Sequence, residues 1–91
     1  MKMVLNTRYG GFSLSKKAME LLGTTDEYEY DDDRTNAKLV DVVETLGDEA
    51  NGHFAHLRVV DIPDDITDYR ITQYDGLETV LYVLDGKIYE E

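Results

Sequence analysis

Two Asp-Gly pairs in the second half of the chain constrain its fold more than any other feature. Asp75-Gly76 and Asp85-Gly86 are strong signals for two-residue hairpin turns, because both central residues of such a turn need a positive φ angle. The run between them, residues 77–84, is apolar on both faces and predicts an inner strand. Alternation over residues 69–74 predicts the strand before it, and residues 87–89 predict the strand after it. The second half is therefore predicted to be an antiparallel meander.

The rest of the chain predicts two helices and two further strands. Residues 3–6 form a short run that is apolar on both faces, which indicates a central strand. Helical spacing of apolar residues predicts one helix from about residue 16 to Gly23 and a second from Asn36 to about Leu46. Residues 57–62 predict a further strand. The 91 residues predict one α+β domain, a mostly antiparallel sheet of four or five strands with two helices on one face.

Basic residues cluster at the start of an acidic chain. Residues 1–19 hold Lys2, Arg8, Lys16 and Lys17 and no acidic residue, which gives this segment a charge of +4. The remaining residues hold all 20 acidic side chains and the other five basic ones, so the chain carries −11 at pH 7. A body this acidic repels nucleic acids and anionic lipids and attracts basic surfaces. We therefore expect no direct binding to nucleic acid or to a membrane.

The predicted turn at Gly10-Gly11 is a candidate anion site. Free backbone N–H groups at a helix start suit a phosphate or carboxylate, and the Arg8 guanidinium can hold two oxygens at once. Serine hydroxyls add donors, and aromatic rings can stack on a base. The predicted ligand-binding residues are Arg8, Tyr9, Gly10, Gly11, Phe12, Ser13, Ser15, Lys16 and Lys17. The alternative interpretation is that the two lysines are simply solvated.

Residues 24–34 contain a dense acidic run. Tyr28 and Tyr30 stand between the acids and are expected to share a face that pins the segment to the core. The acidic residues are Asp26, Glu27, Glu29, Asp31, Asp32 and Asp33. Such a run favours a solvated loop, and its functional interpretation is an arm that binds a basic partner. Calcium is disfavoured, because the central glycine and closing glutamate of an EF-hand loop are missing.

No catalytic or metal-binding motif is recognisable. The chain has no cysteine, no phosphate-binding loop and no defensible nucleophile, and its many carboxylates make some close pair inevitable. His53 and His56 lack a third ligand nearby and are interpreted as ordinary polar residues. We expect a non-enzymatic protein without cofactor or metal. Because so short a chain buries only about 60–65% of its unfolded surface, we also expect a homo-oligomer.

Short segments spread over residues 4–80 carry a resemblance to known proteins. They are Asn6-Thr7, Tyr9-Gly10-Gly11-Phe12-Ser13-Leu14-Ser15, Arg34-Thr35-Asn36, Val42-Val43-Glu44, Leu46-Gly47, Glu49-Ala50-Asn51-Gly52, Ile62-Pro63-Asp64-Asp65 and Tyr74-Asp75-Gly76. Together they resemble a family of small acidic, largely uncharacterised proteins of bacteriophages and prophages. The resemblance implies a phage accessory protein in the host cytoplasm, where such proteins often counter host defence.

Two functions remain open at this point. The leading one is sequestration of a small phosphorylated, nucleotide-type immune signal at the Gly10-Gly11 turn. The alternative is an acidic inhibitor, similar in effect to a nucleic-acid mimic or an anti-CRISPR protein, that binds a basic surface of a host defence protein. The six acidic residues of the 24–34 segment are the predicted contacts in the second case.

Overall fold

The computed structural model describes residues 1–91, and its helices and strands begin and end close to where the sequence predicts them. In chain order the elements are β1 (Lys2–Asn6), α1 (Lys16–Leu22), α2 (Ala37–Leu46), a 3₁₀ helix (Gly47–Ala50), β2 (Leu57–Asp61), β3 (Asp68–Tyr74), β4 (Leu77–Leu84) and β5 (Lys87–Glu90). The α+β class is confirmed. The meander is confirmed for residues 68–90, since β4 pairs antiparallel with β3 on one side and β5 on the other. β2 lies in the same half of the chain but pairs with β1 instead, so the meander does not include it.

Both α-helices begin at residues that satisfy their free backbone groups. The Ser15 hydroxyl accepts a hydrogen bond from the backbone N–H of Ala18 at the start of α1. The Asn36 side-chain oxygen accepts from the backbone N–H groups of Lys38 and Leu39 at the start of α2. Removing such a cap typically costs about 1 kcal/mol. The caps therefore set the limits of two helices that are too short to be stable alone.

The strands form two antiparallel sheets rather than the single sheet predicted. β1 pairs only with β2, while β3, β4 and β5 form the second sheet. The smaller sheet lies between the helices and the larger sheet. On β1, Val4 belongs to the core cluster formed with α1 and α2. Met3 and Leu5 point the opposite way and belong to a second cluster with Val80 of β4.

This layering explains why β1 is apolar on both faces. All of residues 3–6 are buried, although β1 has one neighbouring strand. The sequence pattern predicts a central strand, and that interpretation is wrong. Burial on two faces here results from a layer of helices on one side and a second sheet on the other, not from strands on both edges.

The β3–β4 turn packs directly against the turn between β1 and α1. Gly10 donates its backbone N–H to the carbonyl oxygen of Asp75 (2.8 Å). Gly76 lies so close that a Cβ atom on it would stand 2.1 Å from the nitrogen of Gly11. Gly86 occupies the equivalent place in the β4–β5 turn and has nothing within 4 Å of its Cβ position. Only the first hairpin turn therefore depends on glycine for tertiary packing.

Replacing each of these two glycines with alanine separates packing from backbone strain. Both have positive φ angles, 89° for Gly76 and 76° for Gly86, so Gly86→Ala should lower the free energy of unfolding by about 1–2 kcal/mol. Gly76→Ala should cost about 3 kcal/mol or more, because the backbone of Gly11 must also move away. Urea denaturation of both variants measures the difference, and equal losses would contradict the packing described.

Candidate functional site

The Gly10-Gly11 turn is closed on one side by the protein itself. Gly76 covers the Gly11 nitrogen, and a Cβ atom on Gly10 would stand 2.7 Å from the Cβ of Phe54. The predicted phosphate-binding position is therefore partly occupied by the β3–β4 turn and by the loop that contains Phe54. On its open side, the Cβ position of Gly11 has no neighbour within 4 Å.

The polar and aromatic residues after the turn are already engaged inside the chain. Ser13 is buried and donates its hydroxyl to the His53 carbonyl oxygen (3.2 Å). Ser15 donates to the Glu49 carbonyl oxygen (2.6 Å) and caps α1. Phe12 is buried, so it does not offer a free stacking surface. These side chains position the segment rather than point outwards from it.

The cations of the segment differ in how free they are. Lys17 forms an ion pair with Glu49 (2.9 Å). Arg8 and Lys16 are exposed, and their side chains form no ion pair or hydrogen bond within the chain. Tyr9 is 60% exposed and packs edge-on against Tyr74. Along residues 8–17, only these three side chains remain available to a ligand, and none of the nine predicted residues lines a cavity.

The acidic segment is a folded loop made of consecutive turns, which we call the acidic loop (residues 24–34). The Asp26 carboxylate accepts from the backbone N–H of Tyr28, and Asp31 and Asp33 donate their N–H groups to carbonyls three residues earlier. Five of its six carboxylate side chains are exposed, and that of Glu27 is half-buried.

The two tyrosines of the acidic loop do not share a face. Tyr30 packs against the core beneath the helices, but Tyr28 is 56% exposed. The expectation of a shared face assumes an extended chain, and consecutive turns rotate the second side chain away from the first.

The pKa of Tyr28 is raised above its ordinary value. The largest cause is the neighbouring Glu27 carboxylate, and smaller contributions come from burial and from the charge of Asp26.

Arg34, at the end of the acidic loop, is the most deeply buried charged side chain of the protein. Its side chain is only 4% exposed, and its guanidinium lies 4.0 Å above the ring of Phe12. All five of its N–H groups have acceptors. Two go to the Glu78 carboxylate (2.5 and 2.7 Å), two to the carboxylate and carbonyl of Asp31 (2.7 and 3.0 Å), and one to the Val4 carbonyl (3.2 Å).

This arrangement joins the acidic loop to both sheets. Burial by itself lowers the pKa of Arg34, but the hydrogen bonds and charges of Glu78 and Asp31 raise it above its ordinary value, so the side chain stays charged. Glu78 also accepts from the backbone N–H of Asn6 (2.7 Å). Neither Arg34 nor Glu78 is predicted from the sequence as an organising residue. The available signal was a single arginine directly after a run of acids.

A groove of about 420 Å³ lies between the acidic loop and the open edge of β3. β3 pairs with β4 on its other side only, so this edge has unpaired backbone groups. The groove is lined by Asp31, Asp32, Arg34, Tyr69, Arg70, Ile71, Gln73 and Glu78. Asp32 forms no hydrogen bond or ion pair within the chain, and Tyr69 is 42% exposed. The groove combines carboxylates, an aromatic ring and an open strand edge.

Comparisons with known proteins give no further guidance. No protein family, curated protein or solved structure matches the chain at a significant level.

No helix is both long and apolar enough to cross a membrane. No group of three or more histidine, aspartate or glutamate side chains is arranged to hold a metal ion. His56 contacts Thr7 and Arg58, and His53 packs on Phe54.

Removing the Arg34 charge should destabilise the fold strongly. Arg34→Met leaves the Glu78 carboxylate, 9% exposed, without its counter-charge, and we expect a loss of about 3–5 kcal/mol in the free energy of unfolding. Arg34→Lys should fall between this variant and the wild type, since lysine keeps the charge but not the planar set of five donors. Chemical denaturation measures all three proteins.

Arg58→Met is the matched control for this experiment. Arg58 also pairs with a carboxylate, that of Asp48 (3.1 Å), but both side chains are largely exposed. Its replacement should therefore cost less than about 1 kcal/mol. A loss of similar size at Arg34 and Arg58 would show that the buried ion pair does not organise the structure.

Proposed function

We propose that the protein is a non-enzymatic phage accessory protein that counters host defence by binding a basic surface of a host defence protein. The observation that carries this proposal is the fixed acidic loop. Its end is held by the five hydrogen bonds of Arg34, while its carboxylates face solvent beside the groove at β3. A surface that is already ordered loses little conformational entropy on binding.

The charge of the protein supports the same function. With a net charge of −11 on 91 residues, long-range attraction accelerates association with a basic partner and repels nucleic acid. The basic surfaces that an acidic protein attracts most strongly are those that normally hold DNA or RNA. Occupying such a surface blocks a defence protein without any chemical reaction. The proposed action is in the host cytoplasm, as the resemblance to phage accessory proteins implies.

The groove indicates how a basic segment is held. An extended segment of the partner adds beside the open edge of β3, where unpaired backbone groups accept and donate hydrogen bonds. Its lysine or arginine side chains reach the Asp31 and Asp32 carboxylates, and the exposed ring of Tyr69 offers a cation–π surface. Arg34 does not compete for the incoming segment, because its own donors are all used.

A competition assay against purified bacterial defence nucleases tests this function. The protein should displace DNA from at least one nuclease, as measured by fluorescence anisotropy. Its apparent affinity should fall at least tenfold between about 0.05 and 0.2 M salt, because exposed charges are screened over about 10 Å. The variant Glu27→Gln/Glu29→Gln/Asp32→Asn should bind at least tenfold more weakly. Its stability should be unchanged, since no backbone N–H group donates to any of these three carboxylates.

The matched control neutralises three exposed acids elsewhere. Glu20→Gln/Asp41→Asn/Asp85→Asn changes the net charge by the same amount, at side chains that form no hydrogen bond or ion pair. It should retain most of the affinity. Equal weakening by both triple variants would contradict a role for the acidic loop, and the absence of competition with every nuclease would contradict the function.

A second candidate function is sequestration of a small phosphorylated signal beside Gly11. The observation in its favour is the pair of exposed, unpaired cations Arg8 and Lys16 on an otherwise acidic protein, with Tyr9 exposed nearby in the chain. These three side chains, rather than all nine of the segment, are available to hold the phosphate and a base.

A thermal-shift screen with cyclic dinucleotides, cyclic oligonucleotides and ADP-ribose derivatives tests the second candidate. At 100 times its dissociation constant, a ligand should stabilise the fold by about 2.7 kcal/mol. Arg8→Ala should abolish most of that stabilisation, whereas Arg70→Ala, which removes another exposed and unpaired arginine, should preserve it. No shift with any compound would remove the support for sequestration.

A further inference from the structure

The larger sheet has one face that no layer covers. Val80 and Tyr82 of β4 point into the second core cluster, so alternate residues of the sheet point away from the core. We call these residues the outer face. They are Asp68, Arg70, Thr72 and Tyr74 of β3, Leu77, Thr79, Leu81 and Val83 of β4, and Ile88 and Glu90 of β5, as fixed by the strand register.

The outer face is unusually apolar for a solvated surface. Three of the four β4 positions are leucine or valine, and Ile88 on the neighbouring strand is 73% exposed. A shallow depression of about 200 Å³ is lined in part by Leu81, Val83 and Ile88. Antiparallel sheets that face water normally alternate apolar residues inside with polar residues outside. A contiguous apolar patch that breaks this alternation marks an interaction surface.

The charge of the outer face favours a second copy of this chain as its occupant. The face carries a formal charge of −1, from Arg70 against Asp68 and Glu90, whereas the whole chain carries −11. Two identical copies repel each other through most of their surface, because 20 acidic side chains outnumber nine basic ones. This face is where two copies approach with little electrostatic opposition, while a basic partner is drawn to the acidic loop instead.

The strand register makes the centre of the face self-complementary. Arg70 pairs with Leu81, and Leu81 pairs with Glu90, so one row across the three strands reads positive, apolar, negative. A two-fold axis running along β4 exchanges the two ends of this row. It therefore places Arg70 of each copy opposite Glu90 of the other, with the two Leu81 side chains in contact. Arg70 forms no ion pair within its own chain.

We propose that the protein forms a two-fold symmetric dimer in which the outer faces of two copies pack against each other. Sheets packed in this way lie about 10 Å apart with their strands roughly aligned. Arginine and glutamate side chains span that distance. Such an interface is isologous, so each contact occurs twice.

Charge reversal across the Arg70–Glu90 row tests both the dimer and its orientation. Sedimentation equilibrium of the full chain should show a concentration-dependent dimer. Arg70→Glu and Glu90→Arg should each weaken dimerisation at least roughly tenfold, because each creates two like-charge contacts. The double variant Arg70→Glu/Glu90→Arg restores opposite charges on both sides of the axis and should return to within about threefold of the wild type.

Lys87→Glu provides the matched control for these variants. Lys87 is exposed on β5 but pairs with Leu84, whose side chain packs on the core side of the sheet, so it lies on the opposite face from Glu90. Its reversal changes the net charge as much as Arg70→Glu does and should leave the dimer nearly unchanged. A wild-type protein that stays monomeric up to about 1 mM would overturn the proposal. So would single variants that dimerise normally, or a double variant that fails to recover.

Discussion

The guanidinium of Arg34 is the charge around which three parts of the chain are arranged. An arginine with so little contact with water is tolerated only when its charge is compensated and its N–H groups have acceptors. Glu78 provides the counter-charge, Asp31 and Val4 provide the other acceptors, and Phe12 provides a flat surface beneath it. The acidic loop, β1 and β4 therefore adopt their positions together.

A second polar residue secures the junction of the two sheets. Asn6 is fully buried, and its amide donates to the carbonyl oxygens of Arg8 and Gly76 and accepts from the backbone N–H of His56. The backbone N–H of Asn6 itself donates to the Glu78 carboxylate. Because a buried amide without these partners would be strongly destabilising, Asn6 fixes where the β3–β4 turn sits on the Gly10-Gly11 segment. That contact in turn decides how much of the segment remains open to a ligand.

The charges divide the surface into regions with different electrostatic character. Carboxylates dominate the acidic loop, two unpaired cations remain near the first turn, and the outer face of the larger sheet is nearly neutral. In the two proposals above, long-range attraction to a basic partner acts through the acidic loop, while burial of apolar area between two copies acts through the outer face. A dimer through the outer face would present two acidic loops, and a partner with two basic sites would then be held more tightly than by one loop.

Local signals in the sequence determined most elements of this protein. The Asp-Gly pairs set both hairpins, Ser15 and Asn36 set the helix starts, and Gly23 set the end of α1, because turns and caps depend on a few adjacent residues. Only the tertiary structure decided how many sheets these strands form, why β1 is buried on both faces, and which donors near Gly11 are free. Those features depend on contacts between residues far apart in the chain, such as Arg34 with Glu78 and Gly76 with Gly11. The local sequence around either residue of such a pair does not predict which distant residue it contacts.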